Sequence, residues 1–320
     1  MAMPVQPLWI GVDVSKATLD ISTSQAQAVI TLPNTATRIR TWLKSLSGPV
    51  CLGLEATNTF HLELAMQAHA YGFTVYLLNG YRLSKYRESV GMRAKTDPSD
   101  ARLIRRYVQN EHEDLYPWTP PPKGYMSVQR LLHRRATLVQ ARTTLSQSLG
   151  GMPELKTSVA AMLRKMDHLD QLICKRLKQA LVKLDWYRHA RRCQAIEGIG
   201  PVNSMALTTL FHRGSFKSAD AFIAFIGMDV RVRDSGKCRG RRKLTKRGDP
   251  EVRRLLYMAA MTACRSATWK PFYERALARG LTRIQALVAL GRKLARIAYA
   301  LLKTGDSYRP KSREEACTST

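Results

Sequence analysis

The chain has 320 residues, of which 45% are hydrophobic, enough for one or two domains with cores of their own. A formal net charge of +28 is far from the balance of an ordinary soluble enzyme and is typical of a protein that pairs with a polyanion. The six cysteines include no C-x-x-C pair, so the sequence predicts neither a zinc site nor a disulfide framework. It contains no leader-like segment and no long apolar run, which predicts a cytosolic protein without a membrane partner.

The N-terminal third of the chain combines balanced charge with a pattern of short strands and helices. Residues 1–120 carry 12 basic and 10 acidic residues, so cations do not outnumber the acids there. The apolar pattern predicts the order β-β-β-α-β-α-β-α, with the last helix opening near Asp97, and this is the element order of the RNase H-like fold. The predicted strands are Leu8–Val14, Thr18–Thr23, Ala28–Leu32, Pro49–Leu54 and Phe73–Leu78, and the predicted helices between them are Thr35–Leu46 and Leu62–Ala70.

The rest of the chain is basic and helical in pattern. Residues 116–123 contain four prolines and are predicted to form a semi-rigid linker after a first domain at 1–115. Seven-residue apolar repeats on both sides of a glycine–proline turn predict a helical hairpin or coiled coil over 124–185. A mostly helical domain is predicted over 186–307, with the most basic loop of the chain inside it, and a disordered tail over 308–320.

Four acidic residues stand where a soluble fold would not place them by default. Asp13 interrupts the apolar strand G-V-D-V, and Glu55 closes the strand V-C-L-G-L-E. Burying a carboxylate is costly unless it is paired or bound to a cation. Asp97 and Asp100 share the first turn of a helix in K-T-D-P-S-D-A; alternatively, Asp97 caps this helix with Pro98 at its first position. Oxygen donors without a His or Cys cluster predict a site for Mg²⁺ or Mn²⁺.

These anchors resemble those of the bridge-RNA-guided transposases of insertion sequence family 110. The resemblance rests on the G-V-D-V-S-K start, the glutamate that closes a later strand, K-T-D-P-S-D-A, and the C-terminal G-I-G-P, F-I-G, D-S-G and L-T-K-R-G-D, and it covers nearly the whole chain. It implies a first domain like that of the Holliday-junction resolvases. The catalytic and metal-binding residues of the family then fall on Asp13, Glu55, Asp97 and Asp100, and its serine nucleophile on Ser235.

Ser235 also stands out by its surroundings, because it is the only serine between Ala219 and Arg265 and lies among many cations. Cations can stabilise the charge that develops on a phosphate under attack. Without the resemblance, Ser235 and Gly236 favour a simple turn, and it is the resemblance that favours the nucleophile. The neighbouring cations are predicted to contact the nucleic-acid backbone. They are Lys237, Arg239, Arg241, Arg242, Lys243, Lys246 and Arg247.

The resemblance implies a DNA recombinase that cuts and rejoins strands through a covalent phosphoserine. Its implied partners are donor DNA, target DNA, a guide RNA and further copies of the chain in a tetramer built as a dimer of dimers, in the bacterial cytosol or nucleoid. Two alternatives stay open at this point. One is a structure-selective nuclease or resolvase in which the four acids alone hydrolyse DNA. The other is a non-catalytic nucleic-acid-binding protein on a degenerate nuclease scaffold.

Overall fold

The chain forms two compact units, Met1–Pro120 and Pro121–Thr320. The computed structural model describes residues 6–56, 58–92, 96–231, 234–235, 238–239 and 242–310, and for 234–235 and 238–239 it describes the backbone alone. Within these residues no helix has the length and apolar character needed to cross a membrane.

A five-stranded sheet forms the centre of the first unit. The spatial order is β3-β2-β1-β4-β5, with β1 antiparallel to β2 and parallel to β4. Alternate residues of β1, such as Ile10 and Val12, are fully buried on one face of the sheet. The strands are β1 (Leu8–Val14), β2 (Thr18–Thr23), β3 (Ile30–Pro33), β4 (Val50–Glu55) and β5 (Thr74–Leu78).

Helices cover both faces of this sheet. Helices α1 (Ala36–Lys44) and α2 (Leu62–Ala70) pack on the face that carries Ile10, where Ile39 and Leu64 are fully buried. Trp118, inside the predicted proline-rich linker, is buried in the same core, and its N–H donates to the Val75 carbonyl at 2.7 Å. The residues 116–123 are therefore attached to the first unit at Trp118.

The other face carries α3 (Gly80–Ser89) and α4 (Asp97–Glu111), and α4 lies directly on the sheet backbone. A Cβ added at Gly11 of β1 would lie only 2.2 Å from the Arg105 nitrogen, and one at Gly53 of β4 would lie 2.4 Å from a methyl carbon of Val108. Only glycine permits this approach. The two central strands therefore hold α4 in a fixed position.

The second unit begins with a helical hairpin, α5 (Tyr125–Leu149) and α6 (Lys156–Lys183). Ion pairs link Arg135 to Asp170 at 2.9 Å and Arg142 to Asp167 at 2.6 Å, and the opposite order of the partners along the two helices shows that they run antiparallel. The remaining helices are α7 (Tyr187–Gln194), α8 (Pro201–Phe211), α9 (Ala219–Ile226), α10 (Pro250–Ala263), α11 (Lys270–Ala278) and α12 (Arg283–Thr304).

Helix α12 is the centre of the core of the second unit. Its residues Leu290, Leu294 and Ala298 are fully buried, together with Leu256 of α10 and Phe222 of α9. A capping box between Thr282 and Gln285 begins this helix, and Gly305, at φ +80°, ends it.

The mixed α/β first part and the helical C-terminal part agree with the sequence prediction. The predicted element order was wrong in one respect, because α3 was missed. That helix has a single buried residue, Leu83, so its sequence carries no apolar repeat. The third strand starts at Ile30 and not at Ala28. The division into five segments stays a prediction.

Candidate active site

Asp13 lies on the face of β1 that meets α4, because Gly11, two residues earlier on the same strand, contacts that helix. Its register partner on β2 is Asp20, so both side chains project from the same face of the sheet. Asp20 is buried and accepts a hydrogen bond from the Thr31 hydroxyl. The sequence did not identify Asp20, because its position opposite Asp13 depends on the strand register.

The pKa of Asp13 is raised to about 6. Burial is the largest cause, and the negative charge of Asp100 is the next. Asp97 and Glu55 act in the same direction. The four acids predicted from the sequence therefore lie close enough for the charges of three of them to disfavour ionisation of the fourth.

Glu55 is the last residue of β4, beside the strand that carries Asp13. The parallel register of Val12 with Leu54 places Asp13 and Glu55 next to each other across the two strands. The Glu55 side chain runs towards the start of α3, where a Cβ added at Gly80 would lie 2.4 Å from its Oε1 atom. Gly80 thus leaves space for the carboxylate.

The first turn of α4 presents Asp97 and Asp100 without using either as a cap. The N-cap is Thr96, which forms a capping box with Ser99. The alternative in which Asp97 caps the helix is therefore wrong, because the threonine hydroxyl already accepts the backbone N–H that a cap must satisfy. Pro98 occupies the first turn, where its missing N–H costs little. Both carboxylates remain available for other partners.

One of these partners is Arg87 on α3, whose guanidinium lies 2.7 Å from Oδ1 of Asp100. Both side chains are largely buried, with exposed fractions of 18% and 14%, so the pair is shielded from solvent screening. In the described part of the chain, no three His, Cys, Asp or Glu side chains converge closely enough to hold a metal ion as they stand. The fit to a hard cation lies in the donor chemistry and in the accumulated negative charge around Asp13.

The most basic loop of the chain, which contains Ser235 and is called the serine loop below, lies in the second unit between α9 and α10. The described residues of the loop form four short strands. Strand β6 (Val230–Arg231) pairs with β9 (Lys243–Leu244), and β7 (Asp234–Ser235) pairs with β8 (Cys238–Arg239). The backbone of Ser235 is opposite Cys238, and its side chain lies outside the described residues. Of the predicted nucleic-acid contacts, Lys237, Arg241 and the Arg239 side chain also lie outside them, whereas Arg242, Lys243, Lys246 and Arg247 are exposed.

Backbone hydrogen bonds join the two ends of the serine loop. The Thr245 N–H donates to the Asp229 carbonyl at 3.0 Å, and the Lys246 N–H donates to the Gly227 carbonyl at 3.1 Å. A Cβ added at Gly248 would lie 2.2 Å from the Ile226 carbonyl carbon, so glycine is required at this crossing. The backbone hydrogen bonds and this close crossing hold both ends of the loop in place.

Arg253 and Asp249 complete the anchor, and the sequence did not assign them a role. The Arg253 guanidinium donates to the Gly248 carbonyl at 2.5 Å, and Asp249 caps α10 by accepting from the Glu251 N–H at 2.8 Å. The other Asp249 oxygen lies 3.1 Å from Nε2 of His133, which belongs to α5. The serine loop is thus tied both to α10 and to the helical hairpin.

The pair of His133 and Asp249 should make stability depend on pH. The hydrogen bond to Asp249 raises the pKa of His133 above its ordinary value of about 6.5. Burial alone would raise the pKa of Asp249, but hydrogen bonds from His133 and Glu251 keep it below its ordinary value. The contribution of His133 to the stability of the folded protein is complete below about pH 6.5 and is lost as the pH rises through its raised pKa. The contribution of Asp249 is complete above about pH 4 and is lost as the pH falls through its lowered pKa.

Replacing His133 by glutamine is therefore expected to lower the melting temperature by about 1–2 °C near pH 5.5, and by less near pH 8.5. The effect is small because more than half of the His133 side chain is exposed. Melting curves of the wild type and the variant at several pH values would test this, with Arg134→Gln at the neighbouring exposed position as the control. A destabilisation that grew with pH would contradict the assignment.

Comparison with known proteins identifies the chain. A family model described as "Transposase" matches residues 10–152, which include all four acids. A second model, described as "Transposase IS116/IS110/IS902 family", matches residues 190–274, which include the serine loop. The chain belongs to the IS110 family of transposases. This confirms the family that the sequence resemblance indicated.

Relatives of this IS110-family transposase align over most of its length. It is 26% identical over 312 residues to the pilin gene-inverting protein of Moraxella lacunata, and the alignment covers 92% of this chain and 95% of that protein. It is also 26% identical over 314 residues to a probable family 20 transposase of Pseudomonas aeruginosa, which covers 85% of this chain and 89% of that protein. The IS110-family transposase is thus an enzyme, a DNA recombinase or transposase, and the non-catalytic alternative is excluded.

Proposed function

We propose that this transposase cuts and rejoins DNA strands with the carboxylates Asp13, Glu55, Asp97 and Asp100 and with Ser235 as the nucleophile. One observation carries the proposal: Asp13 is partly buried beside the other three acids, so that burial and, after it, their charges raise its pKa. Such an accumulation of like charge is unfavourable for folding and is typical of functional sites. All four acids sit on strands β1 and β4 or on α4, which those strands hold in place.

The donor set fits Mg²⁺ or Mn²⁺, and the four acids would hold the ion. When bound, the ion stabilises the negative charge that develops on a phosphodiester during cleavage. The protein contributes the acids, which create the negative field, and Arg87, which balances Asp100. Gly80 keeps the space beside the Glu55 carboxylate open.

In the proposed reaction the Ser235 oxygen attacks the scissile phosphorus, a serine O–P bond forms, and the bond from phosphorus to the 3′ oxygen breaks. The serine loses its proton, and the leaving 3′ oxygen gains one. The 5′ phosphate then stays on the protein. A 3′ hydroxyl of another strand attacks this phosphoserine, which restores the serine and joins the strands, so that no co-reactant is consumed.

The first unit of the proposed enzyme has an RNase H-like fold. The supporting observations are the strand order β3-β2-β1-β4-β5 and the antiparallel first three strands followed by parallel ones. In the proposed division, 1–115 carries the acids, 124–185 the hairpin and 186–307 the serine loop.

The helical hairpin is proposed to join copies of the chain into a tetramer. Its outer part exposes Leu169 and Leu172, with 45% and 43% of each side chain accessible, whereas Leu177 and Leu181 at its base are fully buried. Large apolar side chains at neighbouring turns of a helix are typical of a contact surface. Donor and target DNA are the proposed substrates, a guide RNA selects them by base pairing, and the protein works in the bacterial cytosol.

The proposal is tested by capturing the covalent intermediate. The purified protein would be incubated with DNA that carries the element ends, with Mg²⁺ or EDTA, and with or without RNA transcribed from the flanking sequence. We expect DNA linked to the protein through its 5′ end, which survives high salt and denaturant and requires both Mg²⁺ and RNA. Cleaved DNA without any adduct would instead favour the nuclease alternative. Adducts that form without RNA would show that the reaction does not require a guide RNA.

Arg87 offers a test of the carboxylates that does not depend on catalysis. Replacing Arg87 by glutamine removes the cation that pairs with Asp100. Because that cation opposes a second positive charge nearby, the variant is expected to bind Mn²⁺ about tenfold more tightly. Isothermal titration calorimetry of both proteins would measure the change, with Lys85→Gln on the same helix as the control. Equal Mn²⁺ affinity in Arg87→Gln and the wild type would show that the metal does not bind near Asp100.

A further inference from the structure

A second polar site lies on the same face of the sheet as the carboxylates. It is a cavity of about 380 Å³ between the β2–β3 connection and α4. Its lining contains two arginines, three hydroxyl side chains and two amides, and no acidic residue, among the described part of the first unit. The residues are Ser22, Thr23, Ser24, Gln25, Ala26, Gln27, Arg102 and Arg105.

The two arginines of this cavity are not neutralised. No carboxylate within ion-pair distance of Arg102 or Arg105 is found among the residues that the structure describes. Arg102 donates to the Gln27 carbonyl at 3.3 Å, and Arg105 donates through Nε to the Ser22 hydroxyl at 3.3 Å and through Nη1 to Gln109 at 3.0 Å. A guanidinium has five N–H donors, so each arginine keeps donors for a ligand.

The hydroxyl groups add further donors. Ser22 Oγ accepts from Arg105, which leaves its own O–H free to donate to another group. A cavity with two positive charges, several donors and no acid suits a phosphate group. The described residues that line it include no aromatic or large apolar side chain on which a base or an apolar ligand would pack.

The position of the cavity relates it to the carboxylates. Ser22 pairs with Gly11 in the register of β1 and β2, two residues from the pair of Asp13 and Asp20, on the same face of the sheet. Two strand residues span about 7 Å. Along α4, Arg105 follows Asp100 by five residues, which corresponds to a rise of about 7.5 Å along the helix axis. A single nucleic-acid strand can therefore contact the acids and the arginines together.

We propose that Arg102, Arg105 and Ser22 bind a backbone phosphate of a nucleic-acid strand that runs past the acid cluster. The proposal rests on the proposed function in one respect, namely that the acids act on a phosphodiester. The contact carries no sequence information and positions the strand. Because α4 is fixed on Gly11 and Gly53, this contact and the carboxylates keep a constant separation.

The test compares binding of the full-length wild type and of the Arg102→Gln, Arg105→Gln double variant, in EDTA, to a labelled DNA strand and to an RNA strand of the same mixed sequence. Loss of one phosphate contact is expected to weaken binding by about 3- to 30-fold and to reduce the slope of log affinity against log salt by about 1. Arg106→Gln paired with Lys44→Gln is the control, because it removes the same charge from exposed positions of the first unit outside the cavity.

A weaker slope with DNA, with RNA or with both supports the site and identifies the strand that it binds. If the double variant and the control show the same affinity for the strands and the same slope of log affinity against log salt, the proposed phosphate site is wrong. Arg102→Gln alone, at an exposed position, gives a smaller change in the same direction and guards against misfolding of the double variant. Because binding is measured without divalent ions, a negative result leaves the capture of the Ser235 adduct unaffected, and failure of that capture leaves this result standing.

Discussion

Replacing Asp13 by asparagine is expected to reduce DNA strand cleavage by roughly a thousandfold, because the four carboxylates act together and the variant loses one metal-binding oxygen. Asparagine has nearly the same shape, so the β1 strand and its register with β2 should persist. Cleavage of labelled DNA under single-turnover conditions would measure the loss. The control is Glu63→Gln on α2, which removes one exposed acid from the same unit and should leave cleavage unchanged.

The same variant should not be less stable than the wild type. Burial and, after it, the charges of Asp100, Asp97 and Glu55 disfavour the ionised form of Asp13. Replacing it by a neutral group therefore removes a buried charge and a repulsion at neutral pH. Without divalent ions we expect the melting temperature of Asp13→Asn to rise by about 2 °C. Lower stability together with lost cleavage would mean that Asp13 serves the fold, and the catalytic assignment would have to be withdrawn.

The acid cluster could be predicted from the sequence because two of its members interrupt or end apolar strands and the other two share the first turn of a helix. Asp13 and Glu55 follow apolar runs whose order already implies neighbouring strands, and Asp97 and Asp100 stand three residues apart at a helix start. The alternative in which Asp97 caps that helix was wrong, because the N-cap is Thr96. Thr96 and Asp97 are both good N-cap residues, and only the backbone torsions of Thr96 distinguish them.

The partners of the site could not be predicted, because they depend on tertiary structure. Arg87 belongs to α3, which has no apolar repeat, and it reaches Asp100 across a space between two helices. His133 and Asp249 are separated by 116 residues in the sequence, and no local pattern relates them. Asp20 lies opposite Asp13 only because of the strand register. Residue types and spacing thus predicted the acids but not the groups that balance and position them.

Ser235→Ala is expected to abolish the 5′-linked protein–DNA adduct, with a loss of at least about a hundredfold in strand joining. Only the hydroxyl is removed, so the short pairing of Asp234–Ser235 with Cys238–Arg239 should persist, since it uses backbone atoms alone. The anchors at the base of the loop, Thr245 and Arg253, are untouched. Mn²⁺ affinity is therefore expected to stay at the wild-type value, because the acids lie in the first unit.

This variant also separates the proposed mechanism from hydrolysis by the acids alone. If Ser235 is the nucleophile, Ser235→Ala loses the adduct and the joined product together, whereas Asp13→Asn loses both for a different reason and shows altered Mn²⁺ binding. Ser148→Ala, which removes an exposed hydroxyl from α5, is the matched control and should behave as the wild type. Undiminished strand joining by Ser235→Ala would show that the carboxylates catalyse the reaction without Ser235. In the absence of a phosphoserine, the incoming 3′ hydroxyl must attack the scissile phosphate of the DNA directly.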